Sequence, residues 1–159
     1  YEANLSLASK NPPFDIRNRH SPIYSRPRFL PPTIMGDAKI TGSLIADGCR
    51  IGDNVTIENS VIGLRTVIGD NVTIKDSVVM GADFIEMRGA ARDGKLPVGV
   101  GAGSVIQGAI LDKNCRVGEN VRILNEAKID HQGEDDDLQI RDGISIVIKD
   151  GQIPDGFSC

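Results

Sequence analysis

The sequence has no tryptophan and few other aromatic residues, which together fill only 4% of its 159 positions. A hydrophobic core in this chain must therefore be built from aliphatic side chains. Three cysteines, an odd number without the spacing of a disulfide framework, are typical of a reducing, cytoplasmic setting. No apolar run is long enough to span a bilayer and no signal peptide is recognisable, so we expect no membrane partner.

Histidine is also scarce, and acidic residues outnumber basic ones by 22 to 18. The net charge of −4 argues against a general nucleic-acid binder, because such proteins neutralise phosphates with an excess of Lys and Arg. The two histidines, His20 and His131, leave little scope for histidine-based catalysis.

What the sequence does contain is an internal repeat. The motif "IGDNVTI" occupies residues 51–57 and recurs unchanged at residues 68–74, with a weaker copy, "VGENVRI", at residues 117–123. Large aliphatic residues recur in this region at intervals of six or five positions. An amphipathic helix would need returns at three and four residues, so short strands separated by turns fit better.

A six-residue step with glycine after the aliphatic residue is the hexapeptide signature of a parallel β-helix, and the predicted fold class is all-β. Three short strands would form one triangular coil, with one aliphatic residue per strand pointing inward. The corners need residues that tolerate positive φ. We expect these at Gly48, Asn54, Asn71, Gly103, Asn114 and Asn120.

Two of the cysteines occupy equivalent positions in the repeat. Cys49 and Cys115 would lie three coils apart, about 14 Å at the spacing of paired strands. A disulfide needs Cα atoms within roughly 7 Å. We therefore expect both cysteines to be buried, unpaired fillers of the core.

The repeat is interrupted twice within the predicted β-helix domain, residues 33–159. The first insertion, at about residues 82–97, is expected to carry a short helix around Phe84 to Ala91. The second, at about residues 125–139, is acidic and is expected to be a surface loop. The following stretch "ISIVIKDGQIPDG" is predicted to form a last strand and turn that cap the open end.

Residues 1–32 show no repeat and are rich in proline, which predicts an extended, stiff connector. The opening "YEANLSLASK" is typical of the end of a helix. Because the chain begins at Tyr1 rather than Met, we expect it to be a fragment, joined through this connector to a further N-terminal domain.

No catalytic constellation stands out in the sequence. His131 could act as a base in an acyltransferase, but its neighbours "IDHQGEDDD" are typical of a solvated loop. The stretch "GVGAG" at residues 99–103 lies on the repeat and is expected to be a coil corner rather than a phosphate loop. The acidic run Glu134–Asp137 is expected to be solvated, and no metal site is predicted.

The cations are the more informative polar residues. Arg26 and Arg28 lie in the connector, Lys113 lies on a coil corner, and Lys149 lies at the end of the last strand. Arg65 falls at the position equivalent to Gly48 and Asn114, where positive φ is expected. A non-glycine residue there costs about 1 kcal/mol, so either this corner is built differently or the side chain is needed.

Several motifs together resemble the C-terminal part of ADP-glucose pyrophosphorylases of the plant and cyanobacterial type. They are "SPIYSRPRFLPPT", "SVIGLRTVIGDNVTIKDSVVMGAD", "LPVGVG", "AILDKNCRVGENVRI" and "IRDGISIVIKDGQIPDG", in order along nearly the whole chain. The resemblance implies a left-handed β-helix, whereas the general crossover rule would favour a right-handed one.

The resemblance also implies a division of labour. In this family an N-terminal catalytic domain, absent from these residues, joins ATP and glucose 1-phosphate with Mg²⁺ for glycogen or starch biosynthesis. The chain alone would then be non-catalytic and without a cofactor. It would contribute to a homo- or hetero-tetramer and to allosteric control by phosphorylated metabolites, in the cytoplasm or, in a plant, the plastid.

The family's effector-binding cations carry over by motif to three residues of this chain. They are Arg28 in "PRFLPP", Lys113 in "LDKN" and Lys149 in "VIKD", with Arg26 and Arg65 as possible additions. Two other functions stay open on the sequence: a hexapeptide-repeat acyltransferase, which would depend on His131, and a purely structural oligomerisation module without a ligand.

Overall fold

The computed structural model describes residues 1–16, 18–24, 26–86, 94–134 and 136–159. Its strands are only two to four residues long, and all but one pair in parallel with the strand one coil away. The strands form three sheets that wrap around one aliphatic core. This architecture confirms the predicted parallel β-helix.

The three sheets form the three faces of the triangular β-helix, here called the prism, and their strands pair in parallel except at β15 (Leu138–Arg141). Sheet A contains β1 (Ile34–Met35), β4 (Arg50–Ile51), β7 (Val67–Ile68), β10 (Gly99–Val100), β13 (Arg116–Val117) and β17 (Gln152–Ile153). Sheet B contains β2 (Ala38–Thr41), β5 (Val55–Glu58), β8 (Thr73–Lys75), β11 (Val105–Gln107) and β14 (Arg122–Ile123). Sheet C contains β3 (Leu44–Ile45), β6 (Val61–Ile62), β9 (Val78–Val79), β12 (Ala109–Leu111), β16 (Ile144–Val147) and β15 (Leu138–Arg141).

The register shows why the sequence repeats. Ile51 pairs with Ile68 and Ile57 with Ile74, so residues 17 positions apart stack on one another. Ile57, Ile74, Ile106 and Ile123 form one continuous inward column, and each is 0% exposed. Burial of an isoleucine side chain contributes about 1.5–3 kcal/mol, so these stacked columns hold the coils together without aromatic residues.

The corners adopt the predicted left-handed conformation. All six expected positions have φ between 55° and 75°, and further Asn, Asp and Gly residues also have positive φ, so that such residues repeat at all three corners of the prism. Arg65 has φ of 60°, so this corner is built like its neighbours rather than differently. The backbone at Arg65 is therefore strained, because in this left-handed conformation a side chain with a Cβ meets steric crowding that glycine avoids.

Cys49 and Cys115 are buried and unpaired, as predicted. Burial raises the pKa of the Cys49 thiol, and it raises that of Cys115 to about 12. The Cys49 Sγ donates to the carbonyl of Gly63 at 3.1 Å and that of Cys115 to the carbonyl of Asp112 at 2.8 Å. Both thiols therefore serve packing and corner geometry.

The first insertion is tied to sheet A at both ends. Glu86 forms an ion pair with Arg116 at 2.8 Å and accepts a hydrogen bond from the backbone of Val98 at 2.8 Å. Arg116 also donates to the carbonyl of Leu96. Residues 84–86 are not helical, and the rest of the helix expected up to Ala91 lies outside the described residues.

The C-terminal end differs from the prediction. The stretch after residue 143 is not a strand and turn that cap the stack but a further coil: β16 extends sheet C, β17 extends sheet A, and Ser158 bridges to Arg122 of sheet B. The cap is instead β15, which pairs antiparallel with β16. The second insertion, expected to be a loop through Gln139, thus already becomes a strand at Leu138. This strand satisfies the open edge of sheet C.

The N-terminal region begins with the helix α1 (Glu2–Ser6), in agreement with the helical pattern of its sequence. The Tyr1 hydroxyl donates to the carbonyl of Asp76 at a coil corner. No helix in the described ranges has both the length and the apolar content needed to cross a membrane. The described residues of the connector between α1 and Ile34 contain no strand, and Leu30 lies against the corner at Gly48.

Candidate anion-binding site

Two of the predicted cations lie on one corner of the prism because the coils stack there. The corner between sheets C and A carries a ladder in which the Asn114 N–H donates to the carbonyl of Gly81 and the Asp150 N–H to that of Lys113, each at 2.9 Å. Lys113 and Lys149 consequently occupy equivalent positions on successive coils. Their side chains leave the same edge, so two positive charges lie side by side.

Both ammonium groups bind one carboxylate, that of Asp83. The Lys113 Nζ lies 2.8 Å from Asp83 Oδ1, and the Lys149 Nζ lies 3.4 Å from Oδ2. Asn114, which is 6% exposed, donates its side-chain amide to Asp83 at 3.3 Å and accepts the Asp83 backbone N–H at 2.8 Å. Asp83 is thus held by backbone and side chain together.

Arg65 lies one coil before Ala82 on the same corner. Its guanidinium donates to the carbonyl of Ala82 at 3.0 Å, immediately beside Asp83. The side chain that makes this corner strained therefore supports the segment that presents Asp83. Of the two explanations offered by the sequence, the structure favours the one in which the side chain is needed.

The connector completes the site from outside the β-helix. Arg26 and Arg28 are exposed and pass over this corner, with the Arg28 guanidinium 3.4 Å from the carbonyl of Arg26. Together with the corner they enclose a groove of about 260 Å³. Its lining residues are Arg26, Arg28, Leu64, Arg65, Met80, Ala82, Asp83 and Lys113.

The family of the chain is decided by a comparison with known protein families. The model of the GLGC left-handed parallel beta-helix domain matches residues 28–157, which is most of the sequence. This chain belongs to that family. The match supports the C-terminal domain of ADP-glucose pyrophosphorylase and gives the β-helix its left hand.

In this GLGC-type domain the groove is lined by more positive than negative side chains. Four of its lining side chains are cationic and one is acidic. Within the described part of the chain, no carboxylate lies within ion-pair distance of Arg26, Arg28 or Arg65. The hydrogen bond from Lys113 lowers the pKa of the Asp83 carboxyl to about 2, against the opposing effect of burial, with further help from Asn114 and Lys149. Asp83 is therefore ionised at neutral pH.

The structure thus brings four of the five predicted cations around one groove, and the fifth, Lys149, binds a carboxylate in that groove. The sequence reasoning missed Asp83. The sequence did hold an indication of it, because Asp83 directly follows the corner at which the 17-residue repeat is first interrupted. A residue at that position does not have to be an inward-facing core residue. Its importance is visible only when the lysines of two later coils stack against it.

The other candidates lie elsewhere. His131 is exposed in the second insertion, with its ring nitrogens 3.0 Å from Asp130 and 3.5 Å from Asp142, and it does not line the groove. Potential ligand atoms of these three residues lie within 4.8 Å of one another, but all three residues are exposed. The stretch "GVGAG" forms β10 and a coil corner, as predicted. Asp137 accepts a hydrogen bond from the Gln152 N–H and so supports the last coil.

A second cavity lies inside the prism beside Cys115, but its volume is about 10 Å³. It is lined mainly by aliphatic residues, including Val98 and Leu111. A space of this size holds at most one water molecule. The corner groove is therefore the better candidate for a metabolite.

Proposed function

We propose that this chain is the regulatory C-terminal domain of a glucose-1-phosphate adenylyltransferase, and that its corner groove binds a phosphorylated metabolite effector. The observation that carries the proposal is that Arg28 and Lys113, from distant segments, line one groove, and that Lys149 from a third segment binds the Asp83 carboxylate in it. Guanidinium and ammonium groups that converge in this way match a phosphate, which accepts several charge-assisted hydrogen bonds.

The position of the groove suggests how binding would regulate. One wall is rigid β-helix, whereas the other is the connector, which leads toward the N terminus of the chain. An anion held between the two walls would favour one arrangement of connector and β-helix over others. A ligand shifts a conformational equilibrium only through such differential affinity. We propose that the partner whose position changes is the catalytic domain, within a tetramer.

The test is the response of the full-length enzyme to phosphorylated effectors. Lys113→Ala and Lys149→Ala each remove one charge-assisted contact, worth about 1.5–3 kcal/mol, so half-maximal effector concentrations should rise roughly tenfold or more. The rate without effector should stay unchanged. Lys39→Ala is the matched control, because Lys39 lies on β2 in sheet B and not at this corner.

The outcomes separate the proposal from its alternatives. If 3-phosphoglycerate, a hexose bisphosphate and inorganic phosphate all act equally on the wild type and both lysine variants, the domain is not the effector site. A purely structural module would then be the better assignment. Acetyl transfer by the chain that is lost in His131→Ala would instead indicate an acyltransferase.

A further inference from the structure

We propose that Asp83 is a built-in competitor for the anion that binds in the groove, so that only a ligand whose contacts exceed those of one carboxylate occupies the site. This inference rests on the proposed function, since it concerns the same groove. It assigns a role to the one acidic residue among the lining side chains.

Asp83 takes the contacts that a phosphate would need. Its two carboxylate oxygens bind the ammonium groups of Lys113 at 2.8 Å and Lys149 at 3.4 Å, and one of them also accepts the Asn114 amide at 3.3 Å. These are two positive charges and one neutral donor directed to one small acceptor. A ligand phosphate cannot use both lysines fully until the carboxylate withdraws.

The carboxylate can withdraw without unfolding its surroundings. The Asp83 side chain is 40% exposed, and the side chains of Lys113 and Lys149 are 42% and 54% exposed, so water reaches the carboxylate and both lysines. The backbone is held independently, because the Asp83 N–H donates to Asn114 and the Ala82 N–H to the carbonyl of Leu64. Rotation of one side chain therefore opens the site.

Charge decides which ligands benefit from the exchange. A monoanion that displaces Asp83 replaces one negative charge with another and gains little. A phosphate dianion brings a second charge, which can also engage the guanidinium groups of Arg28 and Arg65 on the groove wall. A ligand must therefore form stronger contacts than the Asp83 carboxylate does, and a dianion achieves this more easily than a chloride or a carboxylate.

The experiment is a calorimetric titration of the full-length enzyme with inorganic phosphate, and separately with acetate as a monoanionic probe. Asp83→Asn removes the competing charge and keeps the size of the side chain. Phosphate should bind about tenfold more tightly, equivalent to about 1.4 kcal/mol. Acetate carries a single charge and should bind more weakly than phosphate to both the wild type and Asp83→Asn. Asp37→Asn, which removes an exposed carboxylate at another corner, should change neither affinity.

Lys113→Ala provides the second reference. It should weaken phosphate binding, and Asp83→Asn should gain much less in that background, because the carboxylate no longer occupies the missing lysine. If Lys113→Ala weakens binding but Asp83→Asn leaves it unchanged or weaker, Asp83 is not a competitor and the proposed function still stands. If phosphate binds equally to every variant, the groove is not the site and both proposals fail.

Discussion

Arg65 offers a direct test of the link between corner strain and the groove. Its φ of 60° is a conformation that costs an L-residue with a Cβ about 1–2 kcal/mol and glycine almost nothing. Its side chain contributes a hydrogen bond to Ala82 at 3.0 Å, worth about 1 kcal/mol net. The natural residue thus carries one unfavourable and one favourable contribution of similar size.

Two substitutions separate these contributions. Arg65→Ala and Arg65→Gly both lose the hydrogen bond, but only alanine keeps the strain. We expect Arg65→Ala to be destabilised by about 1 kcal/mol, and Arg65→Gly to lie close to the wild type or slightly above it. This order is the reverse of the usual one, since glycine normally costs about 0.5–1 kcal/mol relative to alanine in regular structure.

The assay is equilibrium urea unfolding of the purified variants, followed by far-ultraviolet circular dichroism. Arg65→Asn is a useful third variant, because asparagine adopts positive φ at the equivalent position Asn114 and at another corner in Asn54 and Asn71. It should match or exceed the stability of Arg65→Gly. An alanine variant as stable as the glycine variant would refute the strain argument. All three should also bind phosphate more weakly, because Arg65 lines the groove.

Three further predictions concern the scaffold. Ile74→Ala should lower the free energy of unfolding by about 2–5 kcal/mol because Ile74 is 0% exposed, whereas Ile85→Ala, at a position 56% exposed, should change it by no more than about 0.5 kcal/mol. In native protein only Cys159 should react with a thiol reagent, because burial raises the pKa of the Cys49 and Cys115 thiols. Rapid modification of all three cysteines would contradict the burial of Cys49 and Cys115 in the core. Burial opposes ionisation of Glu86, but bonds from Arg116 and Val98 outweigh it and hold the pKa of that carboxyl below its usual value. The resulting stabilisation is present above the ordinary pKa of a glutamate and lost as pH falls through the lowered one, so acid unfolding curves of the wild type and Glu86→Gln should converge at low pH and separate at neutral pH.

Those features of the fold that recur in every coil could be predicted from the sequence. Inward aliphatic residues and corner Asn or Gly residues repeat because every coil has the same packing and backbone geometry. One motif such as "IGDNVTI" therefore specifies both the inward residues and the corner. The C-terminal cap does not recur. Leu138–Arg141 pairs antiparallel with β16, and its pattern has no second copy from which it could be recognised.

The site was predictable only in part for a similar reason. Motif resemblance located Arg28, Lys113 and Lys149, but nothing in the local sequence shows that Lys113 and Lys149 are stacked neighbours with a shared partner. That relation arises from coil register, in which an insertion after β9 leaves Asp83 opposite lysines 30 and 66 positions further along the chain. Long-range pairing of this kind requires the three-dimensional structure.

The corner groove is proposed to be an anion site, and a crystal structure of the full-length enzyme with inorganic phosphate is the decisive test of that claim. The predicted result is phosphate bonded to Lys113 and Lys149 and to Arg28 of the connector, with the Asp83 carboxylate turned away from both lysines. Phosphate bound elsewhere, with Asp83 still joined to Lys113 and Lys149 at saturating concentration, would contradict the claim.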